Sequence, residues 1–123
     1  MLKIHYNKLI RDKIPEKIKS KGADLKTKRL KSKEYEKELI QKVGEEASGL
    51  LSAKNKKELI SELADVIDVI EEIKKLKRIT NLEIKKAQKE AFKIKGGFNK
   101  RLFLFWSSDD GYRSNERRYS RKS

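Results

Sequence analysis

The sequence predicts an all-α fold, an antiparallel helical bundle built around one long helical hairpin and completed by dimerisation. Three observations carry this. Apolar residues recur at helical spacing through two neighbouring stretches, Leu39 to Leu51 and Leu59 to Ile73. Only the short polar segment AKNK, residues 53–56, lies between them, which leaves room for little but an antiparallel turn. The apolar arc of the second stretch is also wider than one neighbouring helix covers, so a second copy is expected against it.

The elements follow in order. Residues 1–10 are short and mixed, and suit a strand or an extended arm. Ile10, Ile14 and Ile18 predict a helix from Arg11 to about Lys21, with Pro15 in its first turn and Gly22 as its stop. Asp24 to Ser32 reads as a connector, and Ser32 is the expected cap of the first long helix, Lys33–Ala53. That helix gathers Leu39, Ile40, Val43, Ala47, Leu50 and Leu51 on one side. The second runs from Lys56 to Arg78, where Leu59, Ile60, Leu63, Ile67, Ile70 and Ile73 form an apolar arc widened by Val66 and Val69. Thr80, with Glu83 three residues on, has the pattern of a capping box and opens a helix that Gly96 and Gly97 end. FNKRLFLFW, residues 98–106, reads as a strand or as an arm laid on the core or on a partner. Its Phe98, Phe103, Phe105 and Trp106 suit packing better than base stacking. The organisation expected is one domain, residues 1–106, followed by a disordered basic tail, 107–123.

Composition narrows the function classes. Of the 123 residues 36% are hydrophobic and 42% are charged, which fits one modest core under an ionic surface. The absence of cysteine excludes disulfides, thiolate catalysis and sulfur-bound zinc. No stretch is long and apolar enough for a membrane span, and MLKIHYNKLIRDK lacks the apolar run of a signal peptide, so a cytoplasmic protein is expected. The net charge of +14 suits polyanionic partners, but it comes from 25 Lys against 8 Arg. Nucleic acid is therefore permitted as a partner and not favoured, because arginine is the better reader of bases and phosphates. His5, the one histidine, carries no role.

The stretch EEASG, residues 45–49, sets two adjacent carboxylates in a helix whose neighbour carries SELAD, residues 61–65. At about 100° per residue, Glu46 lies at the flank of the first apolar face, and Glu62 and Asp65 lie at the edge of the second. Both sets are on the order of 10 Å from the hairpin turn, so Glu46, Glu62 and Asp65 are expected to meet across the pair. Acids beside Val43, Leu50, Leu63 and Val66 need compensation. Lys42, Lys56 and Lys57 read as outward-facing, which leaves a hard divalent cation as the better candidate. Spacing alone supports edge acids on amphipathic helices equally well.

Three stretches shift the balance. YNKLIRDKIPEKI (residues 6–18), EE with SELADVIDVI, and KIKGGFNKRL (residues 93–102) resemble, in order and spacing, a small house-cleaning branch of the MazG-type all-α NTP pyrophosphohydrolases. The resemblance spans residues 5–105. It implies magnesium-dependent hydrolysis of nucleoside triphosphates, non-standard ones among them, to monophosphate and pyrophosphate, with manganese able to replace magnesium. The wide apolar arc separately leads to the expectation of a homodimer or higher homo-oligomer. The family shows EExxE followed by ExxD, so Glu46, Glu62 and Asp65 become the expected metal ligands, and Gly49 stands where a third Glu is expected. Glu45 is the expected catalytic base that orients water. Lys8, Arg11, Lys13, Lys93 and Lys95 are the expected phosphate contacts. Lys93 and Lys95 equally suit a helix C-terminus, and Gly96–Gly97 is no P-loop, since no GK[ST] follows. Two other readings stay open: a degenerate family member that binds nucleotide or nucleic acid without hydrolysis, and a helical interaction module.

Overall fold

A computed structural model describes residues 2–108 and contains four helices, α1 (Ile14–Ser20), α2 (Ser32–Ser52), α3 (Lys56–Lys77) and α4 (Asn81–Lys95). No strand occurs among the described residues, so 2–10 and 101–108 are irregular segments without sheet partners. The expected tail lies almost entirely outside the described residues. The chain forms two compact units, Met1–Ile84 and Lys85–Ser123.

In the first unit α2 and α3 pack against each other as the hairpin. Asn55 starts α3: its side chain accepts the Glu58 backbone N–H at 2.9 Å, and Glu58 Oε2 accepts the Lys54 N–H at 3.0 Å. This reciprocal cap fixes the turn at the point where the chain must reverse. The end of α3 closes on Arg78, at φ 55°, with the Ile79 N–H bonded to the Lys74 carbonyl at 2.8 Å. At the end away from the turn, Tyr35 donates to Glu72 at 3.1 Å and Lys77 pairs with Glu36 at 2.6 Å. These contacts tie the start of α2 to the last turns of α3.

The interface stripe of α2 runs through Tyr35, Leu39, Val43, Glu46 and Leu50. Leu39 is buried and the others are half-buried. The facing stripe of α3 is Val66, Val69, Ile73 and Leu76, all half-buried, with Glu62 and Asp65 at its turn-ward end. Leu59, Ile60, Leu63, Ile67 and Ile70 lie on a different side of α3 and are exposed. The wide apolar arc is thus two stripes, one against α2 and one uncovered. α2 runs unbroken through Gly44 and Gly49, although each costs helix stability by roughly 1 kcal/mol relative to alanine.

Local chemistry explains the remaining boundaries. Ser32 is the first residue of α2 rather than its cap; Lys31 holds the cap position without a side-chain bond. Gly22 sits at φ 77° and Gly96 at φ 78°, the left-handed conformation that ends α1 and α4. The capping box of α4 is complete: Glu83 N–H donates to Thr80 Oγ1 at 3.1 Å, and Glu83 Oε1 accepts the Thr80 N–H at 3.0 Å. The Thr80 backbone N–H, and then the Thr80 hydroxyl, which also donates to Glu83 Oε1 at 3.0 Å, hold the Glu83 carboxyl below its ordinary pKa. In the second unit, Phe103 and Phe105 meet edge to face at 5.1 Å.

Candidate metal centre

The hairpin register brings Glu46 of α2 and Glu62 and Asp65 of α3 together. One carboxylate oxygen from each lies within 4.8 Å of the other two, and all three residues are half-buried. Helical spacing explains the convergence. Glu62 and Asp65 are one turn apart on α3, and Glu46 occupies the α2 stripe at matching depth from the turn.

Two basic side chains stand at the margins of this group. Lys42 Nζ is 3.2 Å from Glu45 and 3.5 Å from Glu46, and donates to the Leu9 carbonyl at 3.0 Å. Its side chain is only 16% exposed, so the outward placement expected from the sequence is incorrect. A lysine stem packs along apolar surface while its ammonium reaches round the helix to the acids. Arg11 Nη2 contacts Asp65 at 3.0 Å and Asp68 at 2.9 Å. The bond to Asp68, and then the charges of both aspartates, raise the guanidinium pKa further, with burial opposing. Glu62 has no ion-pair partner among the described residues.

The N-terminal arm is therefore fastened to the hairpin at two points, Leu9 by Lys42 and Arg11 by the aspartates. This joins the first and second of the three motif stretches in one place. The third, residues 93–102, belongs wholly to the second unit, where Lys93 and Lys95 occupy the exposed last turn of α4. Lys8 is exposed, with its ammonium 5.7 Å from the centre of the Tyr6 ring. Lys13 is exposed at the N-cap of α1. Glu45 sits beside Glu46 but outside the group of three, its Oε2 facing Lys42.

Comparison with protein-family models, with curated proteins and with solved structures returned no match of any kind. The chemistry of the site is set by its donors.

Those donors are three carboxylates, a hard all-oxygen set suited to magnesium or manganese. Opposite ligands of an octahedral magnesium ion are about 4.2 Å apart, twice a bond of about 2.1 Å. Adjacent ligands, at least two of the three pairs here, are closer still, about 3.0 Å by the same bond length, so oxygens within 4.8 Å of one another close on an ion only as their flexible side chains move inward. The residues fit such an ion. A shallow dent adjoins them at the turn-ward end, lined by Gly49, Ser52, Ala53, Glu58, Ser61 and Glu62. The signal for Lys42 and Asn55 was present in the sequence, as an i,i+3 and i,i+4 pairing of Lys42 with Glu45 and Glu46 and as an Asn-x-x-Glu box.

Proposed function

We propose that the chain is a magnesium-dependent nucleoside triphosphate pyrophosphohydrolase. The observation that carries this is the meeting of Glu46, Glu62 and Asp65 across the hairpin. The ordered resemblance of residues 6–18, 45–70 and 93–102 to the MazG-type enzymes supports it. In this reading the three carboxylates hold the cation. A bound magnesium ion would supply charge stabilisation at the phosphoryl oxygens of the substrate.

The chain's own residues do the rest. Water adds across the α–β phosphoanhydride, the P–O bond to the β-phosphate breaks, and pyrophosphate leaves. Glu45, adjacent in sequence to a metal ligand, orients that water and takes its proton. Arg11 and Lys42 lie at the edge of the acidic group, where the charge of a triphosphate would be balanced. Lys8 and Lys13, in the same unit as the acids, add phosphate contacts. A second copy of the chain covers the exposed stripe Leu59, Ile60, Leu63, Ile67 and Ile70.

The test is pyrophosphate release from a panel of standard and modified nucleoside triphosphates with Mg²⁺ or Mn²⁺. The natural chain is expected to turn over at least one of them, and Asp65→Asn to lose on the order of 100-fold. Equal turnover by Asp65→Asn would sink the proposal.

One observation favours a second reading. Lys42 and Arg11 already place two positive charges on the acids, so the group is partly neutralised without a metal. In that reading the chain binds nucleotide or nucleic acid without hydrolysing it. Nucleotide binding that survives a chelator, or nucleic-acid binding that falls steeply with salt, would select it.

A further inference from the structure

Gly49 stands in the α2 stripe that faces α3 and is half-buried. A Cβ added there would fall within the van der Waals envelope of Glu62 Oε2 and 2.9 Å from Glu62 Cδ. At Gly44, in the same helix, nothing lies within 4 Å of such a Cβ. The two glycines therefore differ: Gly44 faces open space, and Gly49 faces a carboxylate. That carboxylate is the member of the group without an ion-pair partner among the described residues, while Glu46 has Lys42 and Asp65 has Arg11.

We infer that Gly49 is a positioning residue of the acidic site: its missing side chain is the space in which the Glu62 carboxylate lies within reach of Glu46 and Asp65. The inference rests on the metal-site reading above. The space at position 49 is filled from the opposite helix, so the glycine marks a rearranged ligand set rather than a lost one. The obstruction would fall on the far end of a flexible side chain, so a methyl group at 49 does not threaten the fold. It turns the carboxylate aside.

Two consequences of opposite sign follow. Alanine is the better helix former, so Gly49→Ala is expected to keep or raise the melting temperature. The same substitution displaces Glu62 and is expected to weaken cation binding on the order of tenfold. A glycine that merely interrupts α2 would give the first effect without the second.

The experiment is Mn²⁺ binding, followed by electron paramagnetic resonance, for the natural chain, Gly49→Ala, Glu62→Gln and the double variant, with a thermal melt of each. The expected result is weaker binding by Gly49→Ala at an equal or higher melting temperature. The double variant is expected to bind no more weakly than Glu62→Gln alone, because both changes act through one carboxylate. Natural binding strength in Gly49→Ala, or additive losses in the double variant, overturns this inference and leaves the metal site standing. Absence of Mn²⁺ binding by the natural chain overturns the metal site, and this inference with it.

Discussion

The two sides of α3 that carry apolar residues each depart from ordinary surroundings, one at its turn-ward end and the other along its length. Toward α2, where a helix buries its hydrophobic residues, lie Glu62 and Asp65, both half-buried, above Val66, Val69, Ile73 and Leu76. On another side Leu59, Ile60, Leu63, Ile67 and Ile70 are exposed, Ile67 by 54% and Ile60 by 57%. Drawing acids inward is unfavourable, and so is leaving a run of branched side chains in water. The lesson is that each side is incomplete in its own way. In the proposed reading a cation completes the inner one and a second copy of the chain covers the outer one, and the two proposals have separate tests.

The largest expected effect breaks the outer side. Self-association of the natural chain, measured by sedimentation equilibrium, is expected to fall by a hundredfold or more in a Leu63→Glu/Ile67→Glu variant. Burial of two such side chains is worth about 3 kcal/mol or more. A natural chain that is monomeric at high concentration would remove the requirement for cover. A smaller effect sharpens the inner side. Arg11 is 60% exposed, so its two ion pairs contribute about 1 kcal/mol of stability at most. In the proposed reading it competes with a cation for Asp65. Arg11→Ala is therefore expected to tighten Mn²⁺ binding severalfold without nucleotide present and to weaken triphosphate binding. Unchanged cation affinity would show that the guanidinium and the metal do not contend for the same oxygen.

The smallest effect lies outside both sides, at the start of α4, and serves as a control. The hydrogen bonds from Thr80 hold the folded pKa of Glu83 below its ordinary value of 4.5. The unfolded chain then binds the proton more readily. The contribution of this cap is complete above 4.5 and is lost as pH falls through the folded value. Hydrogen-exchange protection in the first turn of α4 is expected to drop over that interval, and Glu83→Gln to flatten the dependence. Insensitivity to acid in the natural chain would contradict the cap's role.

Much of the hairpin was legible because its signals are local. Apolar spacing located α2 and α3, AKNK forced the reversal, and Thr80 with Glu83 marked the start of α4. The depth of Glu46, Glu62 and Asp65 from the turn followed from helix rise alone. What escaped depends on side chains that travel. Lys42 was read from the direction of its Cα–Cβ bond, whereas a lysine head reaches several ångströms from that line. Arg11 finds Asp65 and Asp68 across more than fifty residues of sequence, which no periodicity encodes. For residues 98–106 the sequence offered a strand or an arm; no strand forms, because β propensity without a pairing strand does not make a sheet. The position of the Glu62 carboxylate over Gly49 is a matter of side-chain conformation, which the sequence does not write down.

The most direct measurement is the anomalous scattering of a crystal of the natural chain soaked in Mn²⁺. The account predicts a peak within coordination distance of carboxylate oxygens from Glu46, Glu62 and Asp65, with Arg11 moved off Asp65. A map with no peak between the helices, and Arg11 still bridging Asp65 and Asp68, would contradict it.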